Sequence, residues 1–137
     1  GILRYDGAVL SAQLDIRYPL CASEEKICGQ IAMKVSPAQI AVTRLSGHAP
    51  HHVPANHKVV KGLLKAYSEV TGHEGYAFAI GGGTYSRCMP NTVAFGPCFP
   101  GDVDTCHMPD EWFSLENMML SIRIMAHAIA ELAGQVD

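Results

Sequence analysis

From Ala8 to Tyr18 the even positions up to Ile16 are apolar, and from Ser11 to Arg17 the odd positions between them are polar. Ala8, Leu10, Ala12, Leu14 and Ile16 fall on one side, and Ser11, Gln13, Asp15 and Arg17 on the other. A period of two sends successive side chains to opposite faces of a β-strand, so this stretch demands a sheet with one face to bury and one to wet. Pro19 ends the pattern. Ser23 then offers a helix N-cap, with Glu24 and Glu25 suited to the positive end of the helix dipole. Ile27 and Ile31, joined by Cys28 and Ala32, supply a buried stripe until Ser36-Pro37 breaks the helix. Gln39 to Leu45 is rich in β-branched and apolar residues and reads as a second strand. The three pieces predict a β-α-β unit of about forty residues, the length of such a crossover.

The segment His48 to Asn56 (HAPHHVPAN) holds two prolines and three histidines, has no periodicity, and reads as an extended connector and domain boundary. Beyond it, Val59, Val60, Leu63, Leu64 and Tyr67 recur at helical spacing from His57 to Thr71, and Gly72 is a natural C-terminal stop. Tyr76 to Ile80 and Thr92 to Phe95 read as short strands. Pro97 to Asp110 is rich in proline and glycine and too irregular for an element. Ser114 caps a last helix reaching about Ala133, with Gly134 beyond its end. Leu115, Met118, Met119, Ile122, Met125, Ile129 and Leu132 share one face of it, while Leu120, Ile124 and Ala128 lie on another. Apolar residues over so much of the circumference predict burial by more than one neighbour.

Hydrophobic residues make up 48% of the chain and charged residues 17%, a globular composition. The net charge of -3 provides no basic field for nucleic acid or an anionic membrane. There is no run of eighteen apolar residues and no secretory signal pattern, so the expectation is a soluble, cytoplasmic chain. The five cysteines, Cys21, Cys28, Cys88, Cys98 and Cys106, include no CxxC pair and are expected as free thiols, several of them buried. The opening Gly1-Ile2-Leu3-Arg4 lacks an initiating Met and is expected to be a processed tag or the start of an excised piece.

Chemistry concentrates in Ile80 to Glu111 (IGGGTYSRCMPNTVAFGPCFPGDVDTCHMPDE). Three glycines expose bare backbone N–H groups and Thr84 adds a hydroxyl, a combination that wraps a carboxylate or phosphate. The same residues also suit a tight turn at positive φ, and GGGT lacks the Lys of a phosphate loop. His107, near Asp102, Asp104, Asp110 and Glu111, is a candidate metal ligand or general base, or else a solvated loop histidine. Arg17, on the wet face of the first strand, either grips a substrate carboxylate as a bidentate donor or is an ordinary surface charge. A thiol enzyme using Cys88 or Cys106 with His107 is a weak reading, because the adjacent Cys106 and His107 do not ordinarily face each other in extended chain.

The ordered string GGGTYSR-x-MPN-x-VAFGP-x-FPG-x-x-D-x-x-H-x-x-x-E resembles the C-terminal signature of peptidase V-type dipeptidases. These belong to the co-catalytic zinc aminopeptidases, carboxypeptidases and aminoacylases. LDIRYP resembles the lid strand that carries a substrate-binding Arg in that family. HKVVKGLLKAYSEVTG resembles the helix by which the chain re-enters the catalytic domain. The resemblance implies an α/β fold: half of a ferredoxin-like lid layer (β-α-β) over residues 1–50, then the α-β-β-α C-terminal segment of a zinc-peptidase catalytic domain over 51–137. It implies that His107 binds one of two zinc ions in an intact enzyme. Gly82, Gly83 and Thr84 would line the pocket for a dipeptide's C-terminal carboxylate, which Arg17 reaches from the lid, and Arg87 and Glu111 would support the site.

Most of the machinery such an enzyme needs is missing. No His-x-Asp occurs, the single Glu-Glu (Glu24-Glu25) opens a helix, and the lid histidine that would stabilise an oxyanion is absent. One imidazole cannot hold a catalytic zinc. The expectation is a fragment of a dinuclear zinc dipeptidase, inactive alone and retaining no Zn²⁺, whose incomplete lid sheet either pairs with that of a second chain or leaves the first fifty residues mobile. The alternative is a non-catalytic α/β binding or assembly module descended from such an enzyme.

Overall fold

Helix caps are the most local signals in the chain, and the computed structural model, which describes residues 1–134, has a helix at each of them. The described residues divide into two units, meeting between His52 and Val53.

In the first unit, β1 (Ile2–Tyr5) and β2 (Leu10–Gln13) form an antiparallel hairpin. Asp6 builds its turn: Oδ1 accepts the backbone N–H groups of Ala8 (2.9 Å) and Val9 (2.8 Å), and Gly7 takes φ 96. Those amides, Val9 first, hold the Asp6 carboxyl below its usual range. The pairs Leu3–Ala12 and Tyr5–Leu10 share one face, and Ile2–Gln13 and Arg4–Ser11 the other. The alternation therefore sorts the faces as expected, but burial does not follow: Leu3 is 70% exposed and Leu10 67%.

After the hairpin comes α1 (Glu24–Val35), where the Ser23 hydroxyl accepts the Lys26 N–H at 3.3 Å. The Glu25 carboxyl is held down by its own backbone N–H and by the Ser23 hydroxyl. A 3-10 turn, Ser36–Ala38, follows, with Pro37 in its first turn. Arg44 pairs with Glu24 and donates to the Gly47 carbonyl at 3.4 Å, tying the segment after the turn back to the start of α1.

Three strand expectations are corrected. Residues 39–45, 76–80 and 92–95 adopt no strand, and the pattern from Ala8 to Tyr18 is paired only over Leu10–Gln13. A strand exists by pairing, and among the described residues none of these segments has a neighbouring strand. The β-α-β crossover is thus replaced by a hairpin followed by a helix. The mixed α/β character stands.

The second unit is built on α2 (Lys58–Thr71) packed against α3 (Leu115–Ala133). The His57 imidazole caps α2 by accepting the Val59 N–H at 3.3 Å, and Gly72 closes it at φ 72. Ser114 caps α3, its hydroxyl accepting the Asn117 N–H at 3.1 Å. The buried hydrophobic residues are Val60 and Ala66 of α2 with Ile124 and Ala128 of α3. Small residues line this seam, so the helices approach closely: a Cβ on buried Gly62 would lie 2.7 Å from Leu132 Cδ2. Lys65 reaches across to Glu131 at 2.7 Å. Of the two apolar faces of α3, the one carrying Ile124 and Ala128 is buried, whereas Leu115, Met119, Ile122 and Ile129 are exposed. The Ser121 hydroxyl is buried without a partner in the described structure. All five cysteines are free, and none is buried, which corrects the expectation of several buried thiols. No helix among the described residues is long and apolar enough to cross a membrane.

Candidate active site

Two groups of contacts in the second unit contain most of the residues singled out by sequence. The first follows the glycines. Thr84 starts a 3-10 turn, Tyr85–Cys88, its Oγ1 accepting the Ser86 N–H at 3.3 Å and lying 2.5 Å from the Ser86 hydroxyl. The turn folds Arg87 back over the glycines, so that a Cβ on Gly83 would sit 2.7 Å from Arg87 Nη1. A Cβ at 83 would displace only the far end of the flexible Arg87 side chain, so the close approach favours glycine there without demanding it. None of Gly81, Gly82 and Gly83 has positive φ, so the tight-turn reading that invoked it is not the reason for them. The arrangement sets bare backbone, two hydroxyls and a guanidinium on one exposed loop, which is donor chemistry suited to an anion.

The second group is the loop that carries His107. Asp102 anchors it. The Asp102 N–H donates to the Phe99 carbonyl at 3.0 Å, its Oδ2 accepts the Phe99 N–H at 2.8 Å, and both carboxylate oxygens accept from the Asn117 amide of α3, at 2.9 and 3.0 Å. Further along, Thr105 ties to Trp112: its hydroxyl donates to the Trp112 carbonyl at 3.2 Å and accepts the Trp112 N–H at 3.4 Å. Between these ties the chain turns sharply, with His107 at φ 64 and Asp110 at φ 61. A non-glycine residue held in the left-handed region costs about 1–2 kcal/mol and persists only where its surroundings over-determine it. The His107 N–H donates to Glu111 Oε2 at 3.4 Å, so the histidine and the glutamate of the signature do meet.

The electrostatics of this loop centre on Asp104. The Cys106 backbone N–H, 3.0 Å away, is the main reason its carboxyl lies below the usual range, with the Cys106 thiol and the His107 imidazole adding to the effect. The same carboxylate, with Cys98 beside it, pushes the Cys106 thiol up to about 11. A cleft of about 320 Å³ opens next to the loop, lined by residues that include Cys98, Asp102, Cys106, Glu111 and Trp112.

Arg17 lies in the other unit, where Nη2 meets Asp15 Oδ2 at 3.1 Å and both side chains are exposed. Gly82 is open, with only Ile80 Cδ1 near its would-be Cβ, at 3.8 Å. Sequence reasoning missed Ser86 and Asn117. Ser86 had a readable signal, a hydroxyl two residues after Thr84 at a turn; Asn117 had none, being fifteen residues from the carboxylate it holds.

Whether these side chains suit a metal has a direct answer. Among the described residues, no group of three or more His, Cys, Asp or Glu side chains converges so that it could hold a metal ion. His107 and Glu111 alone do not make a metal centre.

Comparisons with known proteins agree with the signature. A Bacillus subtilis (strain 168) protein named "Putative dipeptidase YtjP" is 37% identical over 134 residues, covering 97% of this chain and 28% of that protein. The Beta-Ala-Xaa dipeptidase of Lactobacillus delbrueckii subsp. lactis is 36% identical over 118 residues, covering 86% of this chain and 25% of that protein. The chain thus spans about a quarter of the length of these curated relatives. No solved structure matches it significantly. The model of peptidase family M20/M25/M40 matches residues 6–131, from the hairpin turn almost to the end of α3, and to that family this chain belongs.

Proposed function

We propose that this chain is the carboxylate-binding and terminal part of a dinuclear zinc dipeptidase. The observation that carries the reading is Arg87 folded onto Gly83 beside the Thr84 and Ser86 hydroxyls. A free C-terminal carboxylate is an anion of the right size for such a loop, and bidentate guanidinium contacts favour it. Gly82, Gly83 and Thr84 line the carboxylate pocket, Arg87 supports it, and Arg17 grips the same carboxylate from a lid formed by residues 1–50. Residues 51–137 belong to the catalytic domain. His107 supplies one zinc ligand, with Glu111 steadying its backbone, and the remaining ligands come from outside these 137 residues. By itself the chain hydrolyses nothing and holds no Zn²⁺. The free thiols fit a reducing cytoplasm. The bare Leu3, Tyr5 and Leu10 face supports self-association through the hairpin, and a monomer by sedimentation across the micromolar range excludes that part.

The test compares a dipeptide with its C-terminal amide. Titrated into the isotopically labelled chain, the free dipeptide shifts the backbone resonances of Gly82, Gly83, Thr84 and Arg87, and the amide does not. Equal shifts with both refute carboxylate recognition. Turnover of the dipeptide by the purified chain with added Zn²⁺ refutes the claim that it is inactive alone.

A further inference from the structure

The loop that carries His107 also brings two thiols together. The Phe99–Asp102 turn reverses the chain between Cys98 and Cys106. Both cysteines then line the same cleft of about 320 Å³, both are exposed, and Cys98 acts electrostatically on the Cys106 thiol. Cys21 and Cys28 belong to the other unit, and Cys88 is not among the residues lining that cleft.

We propose that Cys98 and Cys106 form an oxidisable pair that a peroxide-class oxidant joins into a disulfide, closing the short loop that ends beside His107. The peroxide oxidises one thiol to a sulfenic acid and leaves as water. The second thiol attacks that sulfur, forms the S–S bond, and expels a second water, so that two thiols and one peroxide give one disulfide and two waters. The Phe99–Asp102 turn already reverses the chain inside this loop, so closing it costs less chain entropy than closing an unstructured loop of the same length. The cross-link fixes the segment between Asp102 and His107, and a thiol reductant reverses it. This inference goes beyond the peptidase reading and does not depend on it.

The experiment uses the reduced 137-residue chain and hydrogen peroxide. Cleavage after Arg87 and before Asp102, Asp104 and Asp110 separates residues 88–101 from residues 104–109. Expected is one cross-linked species joining these two peptides, lighter by two hydrogens than their sum and abolished by dithiothreitol. Fragment ions of the unmutated chain place the bond at Cys98. In Cys88→Ser the link persists; in Cys98→Ser it is lost while the helical circular dichroism is unchanged. Preferential linkage of any other pair, or conversion of Cys98 and Cys106 to sulfinic acids without linkage, overturns the proposal.

Discussion

Gly62 sits where α2 and α3 come closest, and replacing it with Ala sets two effects of known size against each other. Within a helix, Ala is favoured over Gly by about 1 kcal/mol. The added Cβ would meet Leu132 Cδ2 at 2.7 Å, Leu132 Cγ at 3.4 Å and Glu131 Cγ at 3.6 Å. Carbon atoms prefer about 3.5–4.0 Å, so the Cδ2 methyl must swing away. Leu132 is half-buried and can rotate, forfeiting about one buried methyl group, roughly 0.8 kcal/mol. An off-minimum side-chain torsion adds about 0.5–1.5 kcal/mol. The penalty outweighs the gain, so Gly62→Ala is expected to be neutral or to destabilise by up to about 1 kcal/mol. In a Leu132→Ala background the collision disappears, and the same substitution stabilises by about 1 kcal/mol. Urea unfolding followed by far-ultraviolet circular dichroism and by the single tryptophan, Trp112 of the second unit, measures both. Gly29→Ala is the control: it lies in exposed α1, its added Cβ meets nothing within 4 Å, and it should gain the full propensity term. A Gly62→Ala gain of equal size in both backgrounds refutes the close helix approach.

Three further outcomes follow from local geometry. At His107 the usual order of Ala over Gly is reversed: His107→Gly should be more stable than His107→Ala by about 1 kcal/mol in urea, because φ is 64 there, and a more stable Ala variant contradicts that backbone. Ser114→Ala removes the cap of α3 and should cost about 1 kcal/mol, with Ser114→Asp largely restoring it; an unchanged urea midpoint in the Ala variant rules the cap out. For Asp6 the folded carboxyl titrates below the ordinary aspartate value of 3.8, so its stabilisation of the hairpin is complete above that value and is lost as the pH falls through the lower, folded one. Carboxyl-carbon resonances and the Ala8 and Val9 amide shifts follow this loss, and an Asp6 midpoint at or above the ordinary value contradicts the turn.

What was legible in the sequence was what neighbouring residues decide among themselves. Ser23, Ser114 and Gly72 mark helix ends through contacts within a few positions, and each lies at the end anticipated. The alternation from Ala8 sorted Leu10 and Ala12 onto one face correctly. It could not say whether anything would cover that face, because burial is supplied by distant chain. Residues 39–45 and 92–95 failed as strands for the same reason: β-propensity describes fitness for a ladder, and a ladder needs a second strand. In the candidate site, the pairing of His107 with Glu111 was contained in a motif five residues long. Asn117 holding Asp102 was invisible, since a cap-proximal asparagine gives no hint of a carboxylate fifteen residues earlier.

Most helices open on a hydroxyl or a carboxylate, but α2 opens on an imidazole. The Nδ1 of His57 accepts the Val59 N–H, and a ring nitrogen that accepts a hydrogen bond cannot carry a proton. Both ends of α2 are thus closed by residues that bracket it directly, an imidazole at the start and a left-handed glycine at the finish, so this helix carries its own boundaries wherever the rest of the chain lies.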